Sequence, residues 1–348
     1  MNRLKTNVLS QTTRFFFACC LLLFAGATVS VDAKIVFCVN DDLYVMNDDG
    51  THRRRITKNT QAKDRHPRWS PDGTQIAFTR FMDKDRIQTS SEVFIINADG
   101  TAPQQLTHNN IADGYPSWSP DGHHIAFKSR PGGKSNVFVI EVESQTITQL
   151  TGIDEDEVGS TAPDWSPDGT QIVFERFIRI KNGINPKTIY VMSADGQHPR
   201  PVLPDPPFNG PPTFRFFPRW SADGQRILFA EVKWFETKDI EKIIVQRIGS
   251  RKQEITDIND RLGNNWLGAG TCWMDNDRAI LFSIRRSDKP TPNYDIYRYT
   301  FGTRGLRRLP STDSDERNPD WTEGALSVSP YGKLTTLWGE IKQPAHAD

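Results

Sequence analysis

The pentapeptide Trp-Ser-Pro-Asp-Gly constrains the fold of this sequence more than any other feature. It occurs at residues 69–73, 118–122 and 165–169, and again at 220–224 with Ala in place of Pro. Two residues after each copy stands an Ile-x-Phe or closely similar triplet, and a fifth copy keeps only Trp273 and the triplet at 280–282. The tryptophans recur at intervals of 47 to 55 residues. Such a period indicates one array of structural repeats rather than two unrelated domains.

Each copy is followed by the same series of short apolar segments separated by turn residues. We label the tryptophan segment strand A and the Ile-x-Phe triplet strand B; strands C and D follow, for example at 93–96 and 105–107. The segments are rich in β-branched and aromatic residues on consecutive positions, which is typical of sheets buried on both faces. Four-stranded antiparallel sheets that cover one another in this way are the blades of a β-propeller.

The two ends of the sequence complement each other. Trp321 is a sixth copy of strand A with no triplet behind it, whereas residues 35–37 read Ile-Val-Phe with no tryptophan in front. Joining strand A of the C-terminal end to strands B, C and D of the N-terminal end gives six whole blades. The sequence therefore predicts an all-β fold, a six-bladed β-propeller at residues 34–322 whose last blade is completed by the N-terminal strands.

The repeat resembles that of the TolB-like propellers, a WD40-like family built around Pro-x-Trp-Ser-Pro-Asp-Gly followed by Ile-Ala-Phe. The resemblance covers nearly all of the predicted propeller and departs at Ala222, at 274–277 and at 322–324. It implies a β-propeller located in the cell envelope. The separate α/β domain that such proteins carry before the propeller is not recognisable in this sequence.

The first 33 residues have the pattern of a cleaved secretory signal peptide. Basic residues at positions 3, 5 and 14 accompany an apolar run at 15–27, which is shorter than the roughly 20 residues that span a membrane. The 43 basic and 43 acidic residues of the chain balance, so no basic face favours nucleic acid. We expect a secreted or periplasmic monomer, not integral to the membrane, with Cys38 and Cys272 as buried free thiols.

The repeated residues themselves are interpreted as structural. A tryptophan in each blade suits a large wedge packed between neighbouring blades. The aspartate of a Pro-Asp-Gly turn bonds its own backbone, and one carboxylate per blade leaves these groups far apart on the ring. The residues interpreted in this way are Trp69, Trp118, Trp165, Trp220, Trp273 and Trp321, together with Asp72, Asp121, Asp168 and Asp223.

The lengths of the loops point to the face that carries function. The A-to-B and C-to-D connections are short and repetitive, whereas the B-to-C and D-to-A connections, such as 152–162, 204–217 and 257–269, are long and irregular. Strand alternation places the long connections together on one face, called here the long-loop face; the opposite face is the short-loop face. Variable loops on a rigid scaffold are common binding sites. The sequence therefore predicts recognition at the mouth of the channel on the long-loop face.

The candidate binding residues flank the proline of strand A or lie in the Pro- and Phe-rich loop at 204–217. Two arginines and two aspartates would give a polar mouth suited to a peptide or a small polar ligand. The alternatives are salt bridges between neighbouring blades, and a loop that plugs its own blade. The candidates are Arg68, Tyr115, Asp164, Phe208, Phe214, Phe217, Arg219 and Asp320.

Catalytic motifs are absent from the sequence. It contains no His-x-x-x-His or His-Glu-x-x-His pair, no Gly-x-Ser-x-Gly elbow and no calcium loop of the Asp-x-Asp-x-Asp-Gly type. The predicted function is therefore binding of a protein or peptide, without catalytic residues, metal or cofactor. The alternative is a metal-dependent lactonase-like hydrolase or polysaccharide lyase, whose ligands would be scattered along the sequence. The tail at 323–348 is predicted to pack on the propeller.

Overall fold

The computed structural model describes residues 35–323, apart from 59–60, 84–90, 110, 153–158, 178–185, 205–211, 235–239, 251, 287–292 and 313. The predicted signal peptide and all but the first residue of the predicted tail lie outside the described residues. Within these residues, no helix has the length and apolar character needed to cross a membrane.

Six four-stranded antiparallel sheets are formed within residues 35–323, and they are the blades of a β-propeller. Blade 1 comprises β24 (Glu316–Trp321), β1 (Ile35–Val39), β2 (Asp42–Met46) and β3 (Arg54–Arg55); blade 2 comprises β4 (Lys63–Trp69), β5 (Gln75–Phe81), β6 (Ser91–Asn97) and β7 (Gln104–Gln105); blade 3 comprises β8 (Gly114–Trp118), β9 (His124–Ser129), β10 (Asn136–Glu141) and β11 (Ile147–Gln149). Blade 4 comprises β12 (Ser160–Trp165), β13 (Gln171–Phe177), β14 (Lys187–Ser193) and β15 (Arg200–Pro201); blade 5 comprises β16 (Thr213–Trp220), β17 (Arg226–Lys233), β18 (Ile240–Arg247) and β19 (Lys252–Glu254); blade 6 comprises β20 (Trp266–Met274), β21 (Ala279–Arg286), β22 (Tyr294–Thr300) and β23 (Gly305–Arg308).

The ring closes in blade 1 by the pairing that the two ends of the sequence predict. Strand β24 pairs antiparallel with β1, so that Ile35 lies opposite Trp321 and Val36 lies opposite Asp320. The indole Nε1–H of Trp321 donates a hydrogen bond of 2.9 Å to Asp48, which follows β2. The prediction that N-terminal strands complete the last blade is therefore confirmed, and the paired edge is not left open.

The repeated tryptophans are inter-blade wedges, as predicted. Trp118 of blade 3 packs in one buried cluster with Val93, Ile95 and Leu106 of blade 2. Trp165, Trp220 and Trp273 occupy clusters of the same kind, each shared with strands of the preceding blade. Burial of so large an aromatic side chain at each boundary gives the ring a continuous apolar layer.

The turns of the repeat also connect blades. In each turn the aspartate bonds within the turn: the hydroxyl of Ser70 donates to Asp72 at 2.6 Å, and the N–H of Thr74 donates to the same carboxylate at 3.0 Å. The glycine has a positive φ, 74° at Gly122, which other residues rarely adopt. A side chain at Gly122 would lie 3.6 Å from Pro71 of the preceding blade. The proline and the glycine of the motif are therefore partners across a blade boundary.

The two departures from the motif, Ala222 and residues 274–277, compensate each other. Ala222 stands where the proline is expected, and Asp277 stands at the glycine position of the next blade, with φ of 65°. Alanine keeps the backbone N–H that proline lacks, so the N–H of Ala222 donates to Oδ1 of Asp277 at 2.8 Å. The backbone N–H of Asp223 donates to Oδ2 of the same aspartate at 3.0 Å. Hydrogen bonds thus replace the Pro–Gly contact at the boundary between blades 5 and 6.

This pairing predicts coupled effects on stability. Ala222→Pro restores the motif but removes a donor from the buried Asp277, so we expect it to lower the free energy of unfolding by about 1–3 kcal/mol. The double variant Ala222→Pro/Asp277→Gly should lose less than the sum of the single changes, because the Pro–Gly contact is restored. Urea unfolding of the four proteins measures the coupling. Pro167→Ala, which faces Gly224, is the control; additive effects would contradict the pairing.

Two details of the prediction are wrong. The outermost strands begin earlier than expected: β7 ends before Leu106, which instead is a buried residue whose N–H donates to Val93 at 2.8 Å. The loop predicted at 257–269 contains a short helix, α1 (Thr256–Leu262), in which Ile258 is fully buried. The outermost strands are exposed, so the apolar pattern marks their anchoring residue rather than the strand itself.

Candidate functional site

A β-bulge in each innermost strand shapes the channel. In all six blades the residue three positions before the tryptophan has a positive φ, and the pairing of strands A and B shifts register there. A positive φ is uncommon for residues other than glycine, so its repetition marks a built feature of the fold. The bulge residues are His66 (53°), Tyr115 (55°), Ala162 (48°), Phe217 (56°), Gly270 (110°) and Asn318 (52°).

Five of the six bulge residues line one small cavity. His66, Tyr115, Ala162, Phe217 and Asn318, together with the prolines that follow three of them, line a cavity of only about 20 Å³. Such a volume holds about one water molecule. The rings of His66 and Tyr115 stack with their centroids 3.9 Å apart. We call this ring of side chains the channel floor.

An ion network lies beside the floor and joins blades across the channel. The guanidinium of Arg68, 6% exposed, pairs with the carboxylates of Asp164 and, at 3.2 Å, Asp320. Asp164 also accepts the backbone N–H of Trp220 at 2.8 Å, and Asp320 accepts that of Trp69 at 2.9 Å. Each carboxylate therefore satisfies a backbone donor of the next blade as well as the arginine.

Arg219 completes this network. Its Nη1 lies 3.9 Å from Asp164, and its Nε–H donates to the carbonyl oxygen of Thr271 at 3.2 Å. Burial and the nearby charge of Arg68 lower the pKa of Arg219 to about 10, which leaves it charged at neutral pH. The structure thus brings Arg68, Asp164, Arg219 and Asp320 together, and it does so as salt bridges between blades, the alternative that the sequence left open.

The aromatic candidates lie on the floor or above it on the long-loop face. Tyr115 and Phe217 belong to the floor, and Phe214 lies nearly buried beneath Trp234, with ring centroids 4.4 Å apart. Trp234 is 44% exposed; it directly follows strand β17 and is not among the predicted residues. Phe208 lies outside the described residues.

Further aromatic side chains continue this surface across blades 4 and 5. The ammonium of Lys187 lies 4.9 Å from the ring centroids of both Phe177 and Phe216. Lys187 is bound to Glu175 at 2.8 Å, and Glu175 also accepts the backbone N–H of Phe217 at 2.8 Å. The surface, called here the aromatic rim, consists of Phe177, Phe214, Phe216, Phe217 and Trp234.

Two further basic side chains near the floor, His66 and Lys128, have lowered pKa values. Burial lowers the pKa of His66 to about 3, with further lowering by the charges of Arg65, Lys128, Arg219 and Arg68, so the imidazole is neutral. Burial also lowers the pKa of Lys128, to about 8; Asp113 opposes this shift, whereas Arg130 and Lys187 add to it. The neutral imidazole adds no charge to the floor, which has the carboxylates of Asp164 and Asp320 beside it as well as these cations.

The chemistry expected of a metal enzyme is not assembled in the described part of the chain. No group of three or more His, Cys, Asp or Glu side chains there is arranged to hold a metal ion. Cys38 and Cys272 are buried free thiols, as predicted, and burial raises the pKa of Cys38 to about 12. This thiol therefore stays protonated and unreactive at neutral pH.

The comparisons with known proteins agree with this architecture. Residues 84–200 match the sequence family described as PD40: TolB beta propeller domain. The solved structure of TolB from Acinetobacter baumannii is similar with a TM-score of 0.65 and 18% identity, covering 83% of this chain and 66% of that one. The structure of putative TolB from Agrobacterium tumefaciens gives 0.50 and 18%, covering 63% and 76%. The described chain is a six-bladed β-propeller, as its repeat predicts, and its similarity to the TolB β-propeller domain lies in residues 84–200.

A structural likeness also extends to a lyase. Oligogalacturonate lyase in complex with manganese is similar with a TM-score of 0.50 and 12% identity, covering 81% of this chain and 74% of that one. A search of curated protein sequences finds no match to this chain. At these identities the likeness concerns the fold alone, and function has to be argued from the site.

Proposed function

We propose that this protein is a secreted or periplasmic binding module that recognises a protein or peptide through its long-loop face. The observation that carries this proposal is the channel floor with the aromatic rim beside it. Because the cavity at the floor holds about one water molecule, a protein or peptide partner would bind over the floor and the aromatic rim rather than inside this cavity. Aromatic side chains, exposed Trp234 among them, are enriched at the centres of protein interfaces.

The location and the oligomeric state belong to the same proposal. The apolar run at 15–27 with its basic residues supports a signal peptide, and removal of residues 1–33 would release a monomeric propeller into the periplasm or the medium. The alternative, a metal-dependent hydrolase or lyase, rests on the likeness of the fold, and no ligand set in the described residues favours it. Recognition is therefore the function that the site supports best.

Photo-crosslinking in cells tests the proposed face. We expect p-benzoylphenylalanine in place of Trp234 to give a covalent adduct with one partner protein, and the same residue in place of Ile147 to give none. Both positions are 44% exposed, but Ile147 lies on the outermost strand of blade 3. The adduct is measured by immunoblotting and identified by mass spectrometry.

A floor variant makes this test specific. Phe217→Asn places on the floor of blade 5 the residue that blade 1 has at the same position, where φ is also positive. Loss of an aromatic contact residue is expected to reduce the adduct at position 234 about tenfold or more. Equal adducts at 234 and 147, or no adduct at either, would contradict recognition by the long-loop face.

A further inference from the structure

A cavity of about 440 Å³ lies on the short-loop face between blades 4 and 5. The A-to-B turn of blade 4 and the start of its outermost strand form one side, and the turns of blade 5 form the other. The volume is within the range of small-molecule sites, about 300–1,000 Å³. The lining includes Asp168, Gln171 and Arg200 of blade 4 and Trp220, Gly224 and Arg247 of blade 5.

The boundary between blades 5 and 6 shows how the fold fills the same space elsewhere. There the guanidinium of Arg226 lies 5.0 Å from the ring centroid of Trp273 and pairs with Asp277 at 3.1 Å. Counted from the tryptophan of each blade, Gln171 stands at the position of Arg226, and Gly224 stands at that of Asp277. The boundary between blades 4 and 5 therefore lacks both the guanidinium and the carboxylate, and a cavity lined by Gln171 and Gly224 is left.

Two arginines line this cavity without a carboxylate partner. Neither Arg200 nor Arg247 forms an ion pair within the described part of the chain. Arg247 donates to the neutral amide oxygen of Gln225 at 2.8 Å, whereas the side chain of Arg200 makes no hydrogen bond to any described residue. Arg54, at the position of Arg200 in blade 1, instead donates to two backbone carbonyl oxygens of blade 2, both at 2.9 Å. The fold thus uses the arginine of blade 1 and leaves that of blade 4 available.

The negative charge in the lining does not balance these arginines. Among the described residues that line the cavity, Asp168 alone carries a carboxylate. Its Oδ1 accepts the hydroxyl of Ser166 at 2.6 Å and the backbone N–H of Thr170 at 3.0 Å, so its own turn holds it. Two guanidiniums against one carboxylate give the lining a net positive charge, and charges of one sign around a concave site raise the local concentration of counter-ions. The complement of this cavity is therefore an anion.

We propose that this cavity binds a small molecule that carries a carboxylate, with the guanidiniums of Arg200 and Arg247 as donors. A carboxylate is the group that the fold itself places at the next boundary, where Asp277 accepts the backbone N–H of Asp223 and pairs with a guanidinium. Guanidiniums match the two oxygens of a carboxylate with parallel hydrogen bonds. This site lies on the short-loop face and is separate from the recognition proposed for the long-loop face.

Titration calorimetry with citrate at physiological ionic strength tests the proposal. We expect a dissociation constant of about 1 mM or lower. Arg200→Met and Arg247→Met should each weaken binding about tenfold or more, because each removes charged hydrogen bonds to the carboxylate. Arg307→Met is the matched control, since Arg307 is exposed on the outermost strand of blade 6, and it should leave the affinity unchanged.

Modification of arginines by phenylglyoxal gives a site-resolved readout on the wild-type protein, which does not depend on the folding of a variant. Citrate at about ten times its dissociation constant should slow the reaction of Arg200 and Arg247 about tenfold and leave that of Arg307 unchanged, as read by mass spectrometry. No citrate binding below about 10 mM, equal loss in Arg307→Met, or protection by inorganic phosphate as strong as that by citrate would overturn the carboxylate site. Crosslinking at position 234 reports on the opposite face, so these results leave recognition by the long-loop face to its own test.

Discussion

Replacing Arg68 by methionine is expected to lower the free energy of unfolding by about 3–5 kcal/mol. The guanidinium is buried and pairs with Asp164 and Asp320, which belong to blades 4 and 1. Methionine fills similar space but leaves two carboxylates in a site with little water, and the cost of an unpaired buried charge exceeds that of a lost surface contact. Urea unfolding at pH 7.5 measures the change.

The origin of this loss can be separated from a general effect of removing an arginine. Arg200→Met is the control, because Arg200 is exposed on the outermost strand of blade 4, and a change there should stay within about 0.5 kcal/mol. Adding Asp164→Asn to Arg68→Met should recover part of the loss, since one of the unpaired charges is removed. A loss of less than about 1 kcal/mol for Arg68→Met would show that the network does not hold the blades together.

The architecture was predictable because a propeller repeats its physical constraints. Each blade needs a buried wedge and an apolar strand pair, so Trp118 and its equivalents appear at a regular interval that one sequence reveals. Closure was predictable for the same reason, since Trp321 lacks its strand B and residues 35–37 lack their strand A. Each end of the propeller sequence lacks a strand that the other end supplies, and pairing the two ends closes the ring without an open sheet edge.

Features that depend on polar partners distant in the sequence were not predictable. Ala222 and Asp277 were each visible as departures from the motif, but only the fold places the freed N–H of one against the carboxylate of the other. The bulge at Phe217 and its equivalents was missed because positive φ leaves no residue signature when His, Tyr, Ala, Phe, Gly and Asn all occupy it. The proline that follows in five of the six blades is the nearest signal.

The candidate site was predictable in position but not in chemistry. Residues beside the strand-A proline were expected at the channel, and Arg68, Asp164 and Arg219 do meet there. Their mutual pairing joins residues 96 positions apart, which spacing alone cannot reveal. Trp234, the exposed aromatic side chain of the rim, follows strand B of blade 5 rather than strand A. The binding residues were predicted beside the strand-A proline and in the loop at 204–217, because the long irregular loops include those that lead into strand A.

Glu241→Gln is expected to stabilise the protein at alkaline pH and to do so less in acid. Glu241 is 5% exposed and accepts the backbone N–H of Gly268 at 2.7 Å, and no cation among the described residues pairs with it. Burial raises its pKa from 4.5 to about 7. A side chain larger than hydrogen at position 268 would collide with this carboxylate, so the group is held in place by a close contact between blades 5 and 6.

The sign of the pH dependence follows from the direction of this shift. Because the folded state binds the proton of Glu241 more tightly than the unfolded state, ionisation destabilises the fold as pH rises from about 4.5 to above 7. Glutamine keeps an acceptor for Gly268 and carries no charge, so the stability difference between variant and wild type should grow by about 2–3 kcal/mol from pH 5 to pH 8. Glu143→Gln, at an exposed position, should show no such trend in the same urea series. Parallel profiles for Glu241→Gln and wild type would mean that water or a cation reaches this carboxylate and that its charge costs the fold nothing.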